Sequence, residues 1–563
     1  VTVRLVNRRI RLIVAVFALV FAVALVRATW LQAVRASSLD QLATSQHRET
    51  VTVPARRGTI YDRTGVELAL GEEATTVVAN PQQIRDPETV AMAAGKALDL
   101  DPAALLPLLA DRNRGFVYLA RKADPHKAEL LRAEEIVGLG FYPEERRTYP
   151  QGKVAAEVVG YAGIDNRGLA GLELELDEAL AGSNGVETVV RDPFGRRLNT
   201  INATEVREGR DVITTLDHTL QRQVERVLAE TRARWNAKSA TAVVLDPRTG
   251  GVLAMAVEPG FDANRFPEVA RDRQRNRAVT DTYEPGSTFK VVTLAASLET
   301  GMVNPGTKYR LPYSIQVSDR VIHDAQKRGT ETMTVAQILS HSSNVGVITL
   351  ALGLGRENVS QWIDRFGFGE ATGVGYPGET RGIVLPPEKW SGSTIGNVPI
   401  GQGIAVTSLQ MARAYAAIAN RGVVARPHIV ERIEGGRPRE PERRRIISAR
   451  TAAQLTDMLR GVVEKGSGGE AHVSGYTVAG KTGTAAKPDP VYGGYSETRY
   501  VSSFVGFVPS TAPRVVILVT VDEPRGNIWG GTVAAPPFAK IAKFALEYLD
   551  VPPDAVADGQ TTR

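Results

Sequence analysis

The chain is predicted to be an α+β protein: an antiparallel sheet with helices around it, one of them buried and carrying a reactive hydroxyl. This domain is expected to stand on an extended mixed pedestal behind one N-terminal transmembrane helix. Three observations predict this class. An unbroken apolar run of fifteen residues, Leu12 to Val26, follows Arg4, Arg8, Arg9 and Arg11. The second half carries several strand-like apolar stretches, two of which flank a turn. Three polar motifs, Ser287-Thr288-Phe289-Lys290, Ser342-Ser343-Asn344 and Lys481-Thr482-Gly483, follow one another in that half.

Fifteen residues is short for a span of about twenty. Ile10 and the stretch Ala28 to Leu31 lengthen it if Arg27 snorkels to the interface. The basic flank puts residues 1–11 in the cytoplasm, an anchor at 12–31 and the bulk outside the cell membrane. A cleaved leader is the rival reading, since Val34-Arg35-Ala36 resembles a cleavage site. Trp30, suited to an interfacial belt, favours the anchor.

Residues 48–235 read as the pedestal, with short strands at Thr75 to Val78, Val186 to Val190 and Val212 to Thr215. Helices are expected at Thr89 to Leu98 and His218 to Arg234, and no catalytic set appears there. In residues 236–550, Thr241 to Asp246 and Val252 to Val257 flank a Pro-Arg-Thr-Gly-Gly turn, a hairpin signal. Tyr476 to Thr484, Tyr500 to Pro509 and Val515 to Val521 read as three further strands. Residues 551–563 are read as a disordered tail.

Tyr283-Glu284-Pro285-Gly286 breaks the chain before Ser287, and the apolar stretch Val291 to Leu298 predicts a helix starting at or near that serine and stopping by Gly301. Residues i and i+3 share a helix face, so Ser287 and Lys290 can meet. Free N–H groups at the helix start surround Ser287. Desolvation among Phe289, Val291 and Val292 favours the neutral amine of Lys290 as a general base. A snorkelling surface lysine is the bland alternative.

Ser342-Ser343-Asn344 lies between two helical stretches. Ser342 is placed to relay a proton and Asn344 to bind a substrate amide, unless both merely cap the next helix. The strand around Lys481-Thr482-Gly483-Thr484 has small residues where something approaches closely. As an edge strand it would pair with an extended peptide, with Gly483 admitting a ligand and Lys481 meeting a carboxylate. Together the three motifs are equipment for acyl transfer through a serine ester.

Net charge is +6, and the dense basic stretch Arg437 to Arg445 is mixed with Glu440 and Glu442, so no nucleic-acid partner is expected. The chain has no cysteine, which excludes disulfides and thiol nucleophiles. Its 7 histidines lack metal-site spacing, so neither metal nor cofactor is expected.

Serine-x-x-lysine, a serine-x-asparagine motif and Lys-Thr-Gly in this order form the signature of the penicillin-binding proteins and serine β-lactamases. The chain resembles a class B penicillin-binding protein, a monofunctional peptidoglycan D,D-transpeptidase. Arg56-Arg57-Gly58-Thr59-Ile60-Tyr61-Asp62-Arg63, Gly171-Leu172-Glu173, Arg191-Asp192-Pro193-Phe194-Gly195-Arg196 and Gly401-Gln402-Gly403 resemble further landmarks of that family. Asn276-Arg277-Ala278-Val279-Thr280 ahead of Tyr283 resembles the division-type branch (FtsI and SpoVD) more than the elongation branch.

The resemblance implies a penicillin-binding transpeptidase domain and cross-linking of peptidoglycan stem peptides. Ser287, Lys290, Ser342, Asn344 and Lys481 would be catalytic. Gln402, Thr482, Gly483 and Thr484 would bind substrate, and the N–H groups of Ser287 and Thr484 would form the oxyanion hole. It further implies β-lactam antibiotics as ligands, and a SEDS glycosyltransferase of the FtsW kind with other divisome membrane proteins as partners. A β-lactam-sensing receptor, a β-lactamase and a non-catalytic scaffold are the other readings. The first lacks its additional spans and protease in this sequence, the second an assignable deacylating base, and the third would require a degraded motif.

Overall fold

The structure is a computed structural model and describes residues 2–34, 48–191, 197–489 and 493–555. It divides into two compact units. The smaller holds residues 1–56 and 182–209. In it a helix runs Thr2–Thr29 and continues as the π-helical turn Trp30–Val34. The basic residues expected to precede the anchor lie within this helix, and Val6–Ala33 is long and apolar enough to cross a membrane. The same unit contains a three-stranded antiparallel sheet of Arg48–Val53, Gly185–Arg191 and Arg197–Thr204. The strand expected at Val186 to Val190 is therefore present, whereas Asp192 to Arg196 lie outside the described residues.

The larger unit, residues 57–181 and 210–563, contains two large sheets and, among the described residues, four two-stranded ones. One large sheet is built on the long strand Glu67–Ala79, which pairs with Ile60–Tyr61 at its start and, further along, with Val117–Ala123 on one side and Leu139–Thr148 on the other. Pro87–Leu98, capped by the Asp86 side chain on Thr89 N–H, packs its apolar face on it. Val212–Thr214 extends the sheet, and Val430–Ile433, from the far half of the sequence, pairs with that strand. The boundary expected at 235/236 thus falls inside one compact unit, because the second half of the chain supplies a strand to the pedestal's sheet.

The second sheet has strands β1 (Ser239–Leu245), β2 (Val252–Glu258), β3 (Ala479–Pro488), β4 (Tyr495–Val508) and β5 (Val515–Asp522). Their order is β2-β1-β5-β4-β3, all antiparallel, with β3 at the edge. Alternation sorts their side chains into two cores. Ala242, Val244, Phe504, Ile517 and Val519 pack with helices α1 (His218–Arg234) and α6 (Ala535–Tyr548). Val243, Val505, Phe507, Val516 and Leu518 face the other way, toward α2 (Lys290–Glu299) and α5 (Ser408–Ala419). Every residue of α2 from Lys290 to Leu298 is buried, which explains why that stretch is apolar on nearly every side.

Three expectations change. The helix predicted from Ser287 begins as a 3-10 turn, Gly286–Phe289, and becomes α-helical only at Lys290. The strand expected from Tyr476 starts at Ala479 and runs on to Pro488. The tail expected from Val551 is docked as far as Ala555. Tyr476 OH donates to Val551 O at 2.7 Å, and the Asp554 carboxylate accepts from Thr477 N–H at 2.7 Å. Residues 556–563 lie outside the described residues.

Candidate active site

Ser287 sits in the 3-10 turn, where i and i+3 side chains eclipse, so Ser287 and Lys290 project from one edge. The turn is held from three sides. Gly286 N–H donates to Gly401 O at 3.1 Å, and Tyr415 on α5 donates to Thr288 O at 2.9 Å. Gly401 adopts φ +76°, and a Cβ there would lie 2.2 Å from Gly286 O, so only glycine lets the Gly401-Gln402-Gly403 loop come this close. Gln402 follows as a half-buried residue whose N–H donates to Asn397 O. On the third side lies β3. A Cβ on Gly483 would meet Ser503 Oγ at 2.3 Å and Pro285 O at 2.9 Å. Gly483 therefore seats the strand against the turn; the space it leaves is filled by protein, not by a ligand as the sequence suggested.

Helices α3 (Val335–Ser340) and α4 (Asn344–Leu354) present the second motif on the loop between them. The middle residue does the capping: Ser343 Oγ accepts from Gly346 N–H at 3.0 Å. Ser342, in the left-handed region at φ 57°, and Asn344 turn toward Lys290. Lys290 Nζ donates to Ser342 O at 2.6 Å, to Asn344 Oδ1 at 2.7 Å and to Ser342 Oγ at 3.2 Å. Ser342 Oγ in turn lies 3.0 Å from Ser287 Oγ. The serine and lysine expected to meet directly are thus joined through the hydroxyl of Ser342.

Sequence reasoning missed Asp324. Its carboxylate accepts from Ser343 Oγ at 3.0 Å and from Val345 N–H at 3.0 Å, and it pairs with Arg328 at 2.5 Å. With Asn344 Nδ2 donating to His323 O at 2.8 Å, this fixes the loop on the end of a short hairpin. The only sequence signal was an Asp–Arg pair at i,i+4 after a strand, which is common on surfaces. Tyr415, fully buried on an apolar helix, was equally hidden.

Lys290 and Lys481 are both 0% exposed, whereas Ser287 and Ser342 are half-buried. Lys481 points to the Ser287 side of the sheet, in register with Val505, and donates to Thr482 O and Oγ1 at 3.3 and 3.2 Å. Thr482 Oγ1 also meets Ser467 Oγ at 2.9 Å, and Thr484 Oγ1 accepts from Gly530 N–H at 3.0 Å. Burial, reinforced by the nearby Lys481 ammonium, holds the Lys290 amine well below the usual lysine range against the opposing pull of Asp324. Burial alone brings Lys481 down to about 7. Two buried amines of lowered basicity therefore stand behind two accessible hydroxyls, beside an open sheet edge.

A model of the penicillin binding protein transpeptidase domain matches residues 240–543, and one of the penicillin-binding protein dimerisation domain matches residues 52–214. The penicillin-binding protein PbpB of Mycobacterium tuberculosis H37Rv is 36% identical over 574 residues, covering 96% of this chain and 84% of that protein. The peptidoglycan D,D-transpeptidase FtsI of Escherichia coli K12 is 31% identical, covering 98% of this chain and 93% of its own length. A crystal structure of penicillin binding protein 3 from Mycobacterium tuberculosis, complexed with aztreonam, superposes with a TM-score of 0.72 at 32% identity, over 90% of this chain and 98% of that one. Fold and motifs together thus define a penicillin-binding transpeptidase architecture. Within it, the chain belongs to the class B penicillin-binding proteins of the FtsI type.

Proposed function

We propose that this protein is a membrane-anchored D,D-transpeptidase that cross-links peptidoglycan stem peptides through an acyl-enzyme on Ser287, working in septal wall synthesis. The observation that carries this is the chain from Ser287 Oγ through Ser342 Oγ to the buried amine of Lys290. The donor peptide lies extended along the free edge of β3. Its terminal carboxylate is drawn by Lys481 and the Thr482 and Thr484 hydroxyls, and Asn344 binds its amide. Ser287 Oγ attacks the penultimate D-alanine carbonyl while its proton passes to the neutral Lys290 amine, through Ser342 once the hydroxyls rotate. The N–H groups of Ser287 and Thr484 receive the oxyanion. The C–N bond then breaks, the proton returns through Ser342 to the departing D-alanine, and an amine from a second stem cleaves the ester and restores Ser287. A β-lactam enters as a donor whose leaving group stays tethered, so the ester persists.

The basic flank of the N-terminal helix supports a cytoplasmic N-terminus in the cell's inner membrane, with the catalytic domain outside. Among the described residues the pedestal shows no second constellation for polymerising glycan, which supports strands made by a partner; family kinship points to a SEDS glycosyltransferase of the FtsW kind within the divisome.

Intact-mass analysis after incubation with a fluorescent penicillin tests the reading. One adduct is expected, mapping to the peptide that contains Ser287 and absent from Ser287→Ala. A persistent covalent adduct on the folded variant overturns the assignment.

A further inference from the structure

A cavity of about 310 Å³ opens on the nucleophile side of the sheet, beside the end of β3. Its lining includes Glu284, three residues before Ser287, and Ala485, the residue after Thr484. Ala485 closes on the reactive turn: a Cβ on Gly286 would lie 3.0 Å from Thr484 O and 3.4 Å from the Ala485 Cβ. The cavity therefore begins immediately beyond the wall that holds the nucleophile. Exposed Lys238, Asp272, Arg275 and Thr282 form its rim, so it is reached from solvent without crossing the free edge of β3.

Most of its charges cancel within the wall. Arg277 donates to Asp281 at 2.8 Å and Asp272 at 2.7 Å, Arg275 to Asp272 at 2.9 Å, and Lys487 to Asp522 at 2.7 Å. Glu284 differs. Its Oε1 accepts from Gly403 N–H at 3.0 Å and Tyr495 OH at 3.1 Å, but no basic residue faces it among the described residues. Its Oε2 is buried without a partner, and so is the adjacent Tyr283 OH. An unpaired carboxylate oxygen and an unpaired phenol, both desolvated, each carry a cost that a ligand group meeting them would relieve. Burial also pushes the Glu284 carboxyl above the ordinary glutamate range, which a bound cation would reverse. The group that suits an anionic oxygen here is a primary ammonium, and a transpeptidase must bring one to the acyl-Ser287 carbonyl from a side the donor does not occupy.

We propose that this cavity receives the acceptor stem peptide and that Glu284 holds its primary ammonium before it attacks the acyl-enzyme. Glu284 takes one of the three ammonium protons, which frees the nitrogen lone pair. The nitrogen then bonds to the acyl carbon as the bond to Ser287 Oγ breaks. A second nitrogen proton passes to Ser287 Oγ through Lys290 and Ser342, and the third stays on the new amide. Glu284 afterwards releases its proton to solvent.

The inference rests on the transpeptidase reading, and the test separates the two. The full chain in detergent micelles is given an N-acyl-D-alanyl thioester as donor and a stem tripeptide with a free side-chain amine as acceptor. The partition of the acyl-enzyme between aminolysis and hydrolysis is followed as acceptor concentration rises. Glu284→Gln should raise the acceptor concentration for half-maximal aminolysis about tenfold or more, the loss of one charge-assisted bond, and Tyr283→Phe should raise it less. If the parent protein forms no acyl-enzyme, the transpeptidase reading falls. If it does and Glu284→Gln partitions like the parent, the acceptor site alone falls. Should that variant not fold, Thr520→Leu narrows the cavity from the sheet face that lines it; the same rise supports the proposal and an unchanged partition overturns it.

Discussion

Replacing Lys481 by methionine should make the protein more stable in acid while disabling it. Lys481 is wholly enclosed, and burial lowers its pKa from 10.5 to about 7. At about 1.4 kcal/mol per pKa unit, enclosing this amine as an ammonium costs the fold roughly 5 kcal/mol. Methionine is of similar length and carries no charge. It loses the two contacts to Thr482, at 3.3 and 3.2 Å, worth about 1 kcal/mol each. A net gain of about 3 kcal/mol remains below pH 7. The sign follows from proton counts. Between about pH 7 and the unfolded value near 10.4, the unfolded chain holds a proton that the folded one has lost, so parental stability rises with pH across that window. Below pH 7 both states hold it and the whole penalty is present. The advantage of Lys481→Met should therefore be largest near pH 6, shrink through pH 8, vanish near pH 9 and reverse above it, where the parent keeps its contacts with little of the penalty. Thermal midpoints of both proteins in detergent across this range check it. A midpoint difference equal at pH 6 and pH 9.5 would refute the claim that the stored cost is electrostatic.

The same two lysines should set how penicillin acylation responds to pH: the rate should climb as Lys290 loses its proton and decline above about pH 7 as Lys481 does, and the low residual rate of Lys481→Met should lack the decline. A single-limbed profile in the parent would remove Lys481 from the reactive set. Asp324→Ala should slow acylation about tenfold or more by loosening Ser343 and Val345. Because its carboxylate raises the Lys290 pKa, the acid limb should also move to lower pH, which mere loosening would not produce. Gly401→Ala places a Cβ 2.2 Å from Gly286 O, so it should shift the nucleophile's turn, lowering both the thermal midpoint and the labelling rate; wild-type labelling would show that the turn is not set by this contact.

The convergence of Ser287, Lys290, Ser342 and Asn344 from two short motifs was legible in the sequence, and so were elements with strong periodicity. The hairpin β1–β2, the helix at His218 and the two helices around Ser342 all lie where their apolar patterns put them. What the sequence hid were relations between distant segments. Nothing local says that Ser342 stands between Ser287 and Lys290, because that depends on a left-handed residue held by a hairpin twenty residues upstream. Gly483 reads as room for a ligand until Ser503 and Pro285 are seen to claim it. The short strand Val430–Ile433 has no pattern distinguishing it from a loop, and only its partner at Val212–Thr214 gives it meaning.

That strand also sets where the protein can be cut. A truncation beginning near residue 236, ahead of β1, would strip the partner from Val430–Ile433 and leave a bare row of backbone donors and acceptors on a hydrophobic body. It would also remove α1 from the outer face of the sheet, uncovering Ala242, Val244 and Leu253. Starting at His218 restores the helix but not Asp62, whose carboxylate accepts from His218 N–H at 3.1 Å and lies 2.7 Å from His218 Nδ1. Keeping these surfaces covered, and Gly185–Arg191 paired with Arg48–Val53, requires a start no later than Arg48, so for this chain the catalytic half cannot be separated cleanly from its pedestal.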